Sequence, residues 1–171
     1  MLHTNKPPYL GAAYYPELWP AEQVDQDIRQ MKEAGCNLMR IAELAWITME
    51  PREGIFEFAW LQNVLDKLHA ADIAVILCTP TATPPQWLTT KYPETLLMYA
   101  DGSRKAHGGR RHNCPNNPVM REKNRIIVTE LAKRFGKHPA VVGWQIDNEV
   151  YPYTECWCPV CREGFREYLK K

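Results

Sequence analysis

An α/β fold of the (β/α)8 barrel type is predicted for this chain, which covers about the first four βα units. Three observations carry the prediction. Apolar strand-like runs alternate four times with amphipathic helical stretches, the order that parallel strands joined by right-handed crossovers require. The first strand-to-helix turn, Tyr-Tyr-Pro-Glu-Leu-Trp-Pro, lacks the glycine-rich phosphate cradle expected of a doubly wound dinucleotide-binding sheet. Polar residues gather where the second and fourth strands end, and a barrel keeps its active site at that C-terminal rim.

The elements follow in order. Tyr9–Tyr15 is a short apolar run that ends against Pro16 and reads as the first strand. Val24, Ile28 and Met31 form one stripe of the first helix, which Gly35 stops. Asn37–Ala42 is the second strand. Leu61, Val64, Leu65 and Leu68 repeat at the i, i+3, i+4, i+7 spacing of a half-buried helix. Ile73–Thr79 is almost wholly apolar, as a strand covered on both faces must be. A long segment from Pro80 to Asn116 follows, interrupted by a short helix at Gln86–Lys91. Asn117-Pro118 starts the next helix: the Asn side chain caps it, and proline gives up an N–H that would be orphaned. Its inner stripe is Ile127, Leu131 and Phe135, and Gly136 with Pro139 ends it. Val141–Asp147 is the fourth strand, and a cysteine-rich loop leads to a last helix at Glu163–Leu169.

The composition is that of a globular protein: 45% hydrophobic and 24% charged residues in 171. A formal charge of +1 argues against a nucleic-acid partner. No apolar run is long enough to cross a bilayer, and MLHTNKPPYL lacks a signal-peptide core, so a cytoplasmic location is expected. The 14 prolines and six tryptophans suit long shaped loops around an aromatic-lined site.

Several residues carry chemistry. The fourth strand ends Asp147-Asn148-Glu149. A carboxylate at the mouth of a barrel strand suits general acid and base work, although a strand-end glutamate equally serves as a helix cap or arginine partner. Because side chains alternate along a strand, Asn148 and Glu149 face one pocket only if the strand end bends. The second strand ends Arg40-Ile41-Ala42-Glu43, read either as a surface ion pair or as an arginine orienting a catalytic carboxylate. The stretch Gly108–Asn113 is basic, with Arg104, Lys105 and His107 before it, and its glycine pair suggests a tight loop bringing arginine into a site. A phosphate or nucleic-acid patch is the alternative, but aromatic residues do not interleave it. Cys114 with Cys156, Cys158 and Cys161 supplies four thiolates, enough for a closed tetrahedral structural zinc; a disulfide set or free thiols are the alternatives. Cys36 and Cys78 read as buried core thiols.

The segments Gly11–Trp19, Arg40–Trp46, Thr79–Leu88, Gly108–Cys114, Gln145–Glu149 and the cysteine cluster together resemble glycoside hydrolase family 42, the β-galactosidases, over almost the whole chain. The resemblance implies the N-terminal half of a glycosidase barrel that cleaves terminal β-D-galactosides with retention of configuration. It implies Glu149 as the acid/base, and Asn148, Arg40, Arg110 and Glu43 as sugar-binding residues. It also implies Cys114, Cys156, Cys158 and Cys161 as ligands of a structural zinc. A β-galactoside or galacto-oligosaccharide substrate and a homo-oligomer, commonly a trimer in the family, follow from it too. His112 and Trp46 lie in the shared motifs with no role assigned.

A retaining glycosidase needs a second carboxylate roughly 5–5.5 Å from the first. The family takes its nucleophile from a later strand, and no carboxylate here matches it. A barrel typically needs about 250 residues. The 171 residues by themselves are therefore expected to be inactive. The competing readings are a zinc-stabilised binding module and a non-catalytic fragment that completes a barrel with another chain.

Overall fold

The computed structural model describes residues 8–149 and 155–171. Its elements are β1 (Gly11–Tyr14), a 3-10 turn (Pro16–Leu18), α1 (Gln23–Glu33), β2 (Leu38–Ile41), α2 (Trp46–Met49) and α3 (Ala59–Ala70). They continue with β3 (Ala74–Cys78), α4 (Gln86–Lys91), a second 3-10 turn (Pro93–Thr95), α5 (Pro118–Phe135), β4 (Val141–Gln145) and α6 (Pro159–Leu169). The four strands form one parallel sheet in the order β1-β2-β3-β4. A doubly wound sheet reverses its strand order; this one advances in a single direction. Right-handed crossovers then put the connecting helices on one face, as in a barrel wall.

Register sorts the two faces. Tyr14, Ile41, Leu77 and Trp144 lie side by side across the sheet, and all four belong to or pack against the hydrophobic core. That core is completed by Val24 and Ile28 of α1, Leu61, Leu65 and Leu68 of α3, and Ile127, Leu131 and Phe135 of α5. Each fully buried leucine contributes about 1.5–3 kcal/mol over its exposed state. The alternate row, Ala13, Arg40, Ile76 and Gly143, faces away from the helices toward the barrel interior. β1 and β2 approach so closely that a Cβ on Gly11 would lie 1.6 Å from the Leu38 carbonyl oxygen, so only glycine fits there.

The helix ends follow local chemistry. Gly35 (φ +75°) closes α1 in a Schellman motif, with Cys36 N–H donating to the Met31 carbonyl and Gly35 N–H to that of Lys32. Asn117 caps α5 by accepting the Met120 N–H at 3.1 Å. α6 begins at Pro159, earlier than the expected Glu163, because proline at its first position preorganises the turn. The four-residue α2 is too short for a periodic signal in the sequence. Trp46 at its start is a core residue, fully buried with its indole N–H on Glu50. Cys78 is buried as expected, whereas Cys36 is only half-buried. Among the described residues, no helix is long and apolar enough to cross a membrane.

The long β3–α5 connection is tied down by one carboxylate. Glu53 accepts from Lys91 of α4, Lys123 of α5 and the Tyr92 hydroxyl. The Lys123 ammonium first, then Lys91, lowers the Glu53 carboxyl to about 2. A carboxylate with a lowered folded pKa stabilises above its ordinary range and loses that contribution as pH falls through the folded value. Glu53→Gln is therefore expected to cost about 1–2 kcal/mol at pH 7, with the deficit against wild type fading between pH 4.5 and 2. Urea unfolding at stepped pH checks this, and a deficit that stays constant into that range would contradict it.

Candidate active site at the strand C-termini

Each strand delivers a polar group at its C-terminal end. Ala42, immediately after β2, takes a left-handed conformation (φ 73°) at the turn leading to Glu43. Glu43 is almost fully buried, at 2% exposure. A buried carboxylate needs compensation by opposite charge and hydrogen bonds, and here three groups supply it. Arg40 Nη1 lies 2.5 Å from Glu43 Oε2, Arg110 Nη1 lies 3.4 Å from Oε1, and the Tyr15 hydroxyl donates to Oε2 at 3.2 Å. Burial lowers the Arg40 pKa, but the charge and hydrogen bond of Glu43, with Cys78 and Tyr15, together outweigh it and the net shift is upward. Burial first, then the same carboxylate, raises the Tyr15 phenol.

Arg110 is the link to β4. Its Nη1 is also 3.2 Å from Glu149 Oε1, so Arg40, Glu43, Arg110 and Glu149 form one continuous line of alternating charge. Glu149 is the open end of that line, its side chain 67% exposed.

The strand end bends as its sequence required. β4 stops at Gln145, and Asp147 (φ 59°) and Glu149 (φ 46°) are left-handed. Gln145 fastens the bend from below. Its Oε1 accepts from Arg40 at 2.9 Å, while its amide nitrogen donates to the Asp147 carbonyl at 3.0 Å and to Asn148 Oδ1 at 3.1 Å. This fixes which way the Asn148 amide points. The Asn148 Nδ2 is buried without a partner among the described residues. Thr79, just past β3, accepts the Asp147 N–H at 2.7 Å. Arg111 pairs with the Asp147 carboxylate at 3.2 Å and donates to the Asn148 carbonyl.

Arg40, Glu43, Arg110, Asn148 and Glu149 are thus brought into one network. Tyr15, Thr79, Gln145 and Arg111 belong to it as well and were not singled out from sequence. Tyr15 and Gln145 sit inside segments already flagged, and Arg111 adjoins Arg110, but only the fold shows what each touches. In the basic loop Arg104 donates to the carbonyls of Glu94 and Leu96, and Lys105 to that of Arg111.

The four cysteines converge on one point. The sulfurs of Cys114, Cys156, Cys158 and Cys161 all lie within 4.8 Å of one another, with Cys114 3.7 Å from Cys158 and 3.4 Å from Cys161. A tetrahedral ion with metal–sulfur bonds of about 2.3 Å spaces its ligands about 3.8 Å apart, so the set fits a metal ion. Asn116 donates to Cys161 Sγ, and Trp157 N–H donates to the Met98 carbonyl, bracing the cage from outside. All six cysteines are free thiols. Burial, then the neighbouring Cys161, pushes the Cys114 thiol well up. Residues 150–154, which join Glu149 to this cluster, lie outside the described residues.

The family model for glycoside hydrolase 42, described as beta-galactosidase, matches residues 13–171. A beta-galactosidase of Thermus thermophilus is 48% identical over 163 residues, which are 94% of this chain and 25% of that protein. Two solved structures superpose on the fold. A beta-galactosidase from Rahnella sp. R3 has a TM-score of 0.92 at 40% identity, covering 98% of this chain and 25% of its own. One from Halorubrum lacusprofundi has a TM-score of 0.90 at 39% identity, covering 94% of this chain and 24% of its own. The chain spans about a quarter of the length of the relatives it matches.

His112, between Arg111 and Cys114, is 1% exposed, and neither ring nitrogen has a partner among the described residues. Burial, then the charges of His107 and Lys105, lowers it to about 4. The unfolded chain then takes up the proton first, so stability is intact above pH 6.5 and erodes as pH falls toward 4. Thermal melts over that range are expected to show a falling midpoint in wild type and a flatter profile in His112→Leu. Identical slopes would contradict the assignment.

Proposed function

The chain belongs to the glycoside hydrolase family 42 β-galactosidases, and from that premise we propose that it forms the acid/base half of a retaining β-galactosidase site. The observation that carries the reading is the placement of Glu149. It is an exposed carboxylate at the C-terminal end of a barrel strand, held by Arg110 at the rim of a network of polar groups. In this reading Glu149 protonates the departing glycosidic oxygen in the first step and takes a proton from water in the second. Arg40, Glu43, Arg110 and Asn148 position a terminal galactose of a β-galactoside or galacto-oligosaccharide.

The second carboxylate is the next requirement. Glu43 is not free for it: two guanidinium groups and a phenol occupy an acid that is nearly inaccessible. Asp147 is engaged by Arg111. The family resemblance places the nucleophile outside these four βα units, and in this reading the 171 residues alone do not turn over. Incubating the pure chain with a chromogenic β-galactoside tests this: no hydrolysis is expected, and turnover abolished by Glu149→Gln would overturn it. The same assay on the complete enzyme carrying this segment is expected to show hydrolysis that Glu149→Gln suppresses by about 100-fold or more; an inert complete enzyme would overturn the galactosidase reading.

The four-cysteine cage suits zinc, with Cys114, Cys156, Cys158 and Cys161 as ligands. Such an ion supplies a cross-link and no reactive position, because protein fills all four sites. Cys114 closes the loop that carries Arg110 and Arg111, so the cage stiffens the ground on which those arginines stand. Purified protein is expected to hold one zinc per chain by elemental analysis, and Cys161→Ser to lose it with a lowered melting midpoint. Full metal retention in that variant would contradict the four-ligand site. Six unpaired thiols support a reducing, cytoplasmic setting. A homo-oligomer of the complete protein is part of the same reading.

A further inference from the structure

We infer that Arg111 is a positioning residue, the clamp that holds the end of β4 in the bent form presenting Glu149 and Asn148 to the site. The inference rests on the galactosidase reading for its consequence in catalysis, though not for the geometry.

Regular continuation of β4 would send Asn148 and Glu149 to opposite faces. The chain instead places two non-glycine residues, Asp147 and Glu149, in the left-handed region within three positions. Each such residue costs about 1–2 kcal/mol, so an unsupported chain would relax toward the extended form. Thr79, Gln145 and Arg111 supply the support from outside the bend. Thr79 accepts the Asp147 N–H, and the Gln145 amide donates to the Asp147 carbonyl and to Asn148 Oδ1; all of these are neutral contacts. Of these three, Arg111 is the one that brings a charge, and it engages the carboxylate of Asp147 together with the main-chain carbonyl of Asn148. The Asp147 carboxylate in turn accepts the Asn148 N–H at 2.7 Å, so the guanidinium, the carboxylate and the Asn148 peptide close into one ring of contacts.

Arg111 is itself firmly seated. Its N–H donates to the Ala82 carbonyl at 3.0 Å, its own carbonyl accepts from Lys105, and its backbone is left-handed (φ 55°). The residues that follow are tied on as well: the His112 carbonyl accepts Leu97 N–H, and Cys114 N–H donates to Thr95. The paired arginines therefore divide the work. Arg110 points to the two glutamates, and Arg111 points to the backbone that carries one of them. A charge-assisted contact to a main-chain carbonyl orients without touching a substrate.

The test is steady-state kinetics of Arg111→Ala, Arg111→Lys and Asp147→Asn in the complete enzyme carrying this segment. Misplacing an acid by about 1 Å costs about 100-fold. Arg111→Ala is therefore expected to lower kcat by that order while KM stays within about twofold, because the residue does not hold the sugar. Arg111→Lys keeps the charge and is expected to recover part of kcat. A KM that rises while kcat holds would make Arg111 a substrate ligand and overturn the inference, as would an unchanged kcat. Should Arg111→Ala fail to fold, Asp147→Asn decides: a kcat loss at constant KM supports the clamp, and none refutes it. If the wild-type enzyme is inert on galactosides, the galactosidase reading falls by itself. The clamp is then judged by hydrogen exchange in the complete protein carrying this segment. Faster exchange at the Asp147 and Asn148 amides in Arg111→Ala supports it, and unchanged protection overturns it.

Discussion

The arrangement depends on satisfying one carboxylate that is held out of water. Glu43 is buried at the end of β2, and burial of that charge is tolerated only because Arg40, Arg110 and Tyr15 converge on it. Those partners come from β2 itself, from the distant basic loop and from the end of β1. Satisfying one desolvated charge thus fixes three separate segments relative to one another. Arg110 then has its position set by Glu43 and shares its remaining reach with Glu149. Arg40 carries the constraint the other way, through Gln145 into the bend below Asn148.

Two devices hold the loops that this network needs. On one side the Glu53 carboxylate ties α4 to α5 and so anchors both ends of the long connection after β3. On the other, Cys114 joins that connection to the thiols beside α6. Between them lies the short run Arg110–Cys114, in which the arginine that meets both glutamates, the arginine that meets the end of β4, a buried histidine and a thiol of the four-cysteine cluster stand within five positions. The density explains the strained backbone there and at the end of β4. Left-handed residues at Arg111, Asp147 and Glu149 persist because several independent contacts over-determine them.

How much of this was legible beforehand differs by residue. The helical stripes of α3 and α5, the Asn117 cap and the Gly35 stop are local features, and each appears where the pattern put it. The bend after Gln145 was legible as a requirement, because parity forbids Asn148 and Glu149 from sharing a face on a straight strand. Its cause was not. Arg111 reads in sequence as one more cation in a basic loop, and its partners lie 36 and 37 positions away. Tyr15 and Gln145 are ordinary strand-end residues until β1, β2 and β4 are set side by side. The start of α6 at Pro159 and the brief α2 fell outside the periodic signal, one hidden by the cysteine run and the other too short to show a stripe.

From sequence alone came the βα alternation, the family-specific segments, the four-thiol set and the candidate acid Glu149. These are carried by residue type, spacing and order, and none needs a distant partner to be recognised. The tertiary structure decided the single-direction strand order that separates a barrel wall from a doubly wound sheet. It also decided which of two adjacent arginines meets Glu43 and Glu149 and which meets Asp147 and the Asn148 carbonyl. Such outcomes depend on charged side chains finding partners across 36 to 105 positions of chain, and that pairing exists only once the sheet has brought the strand ends together.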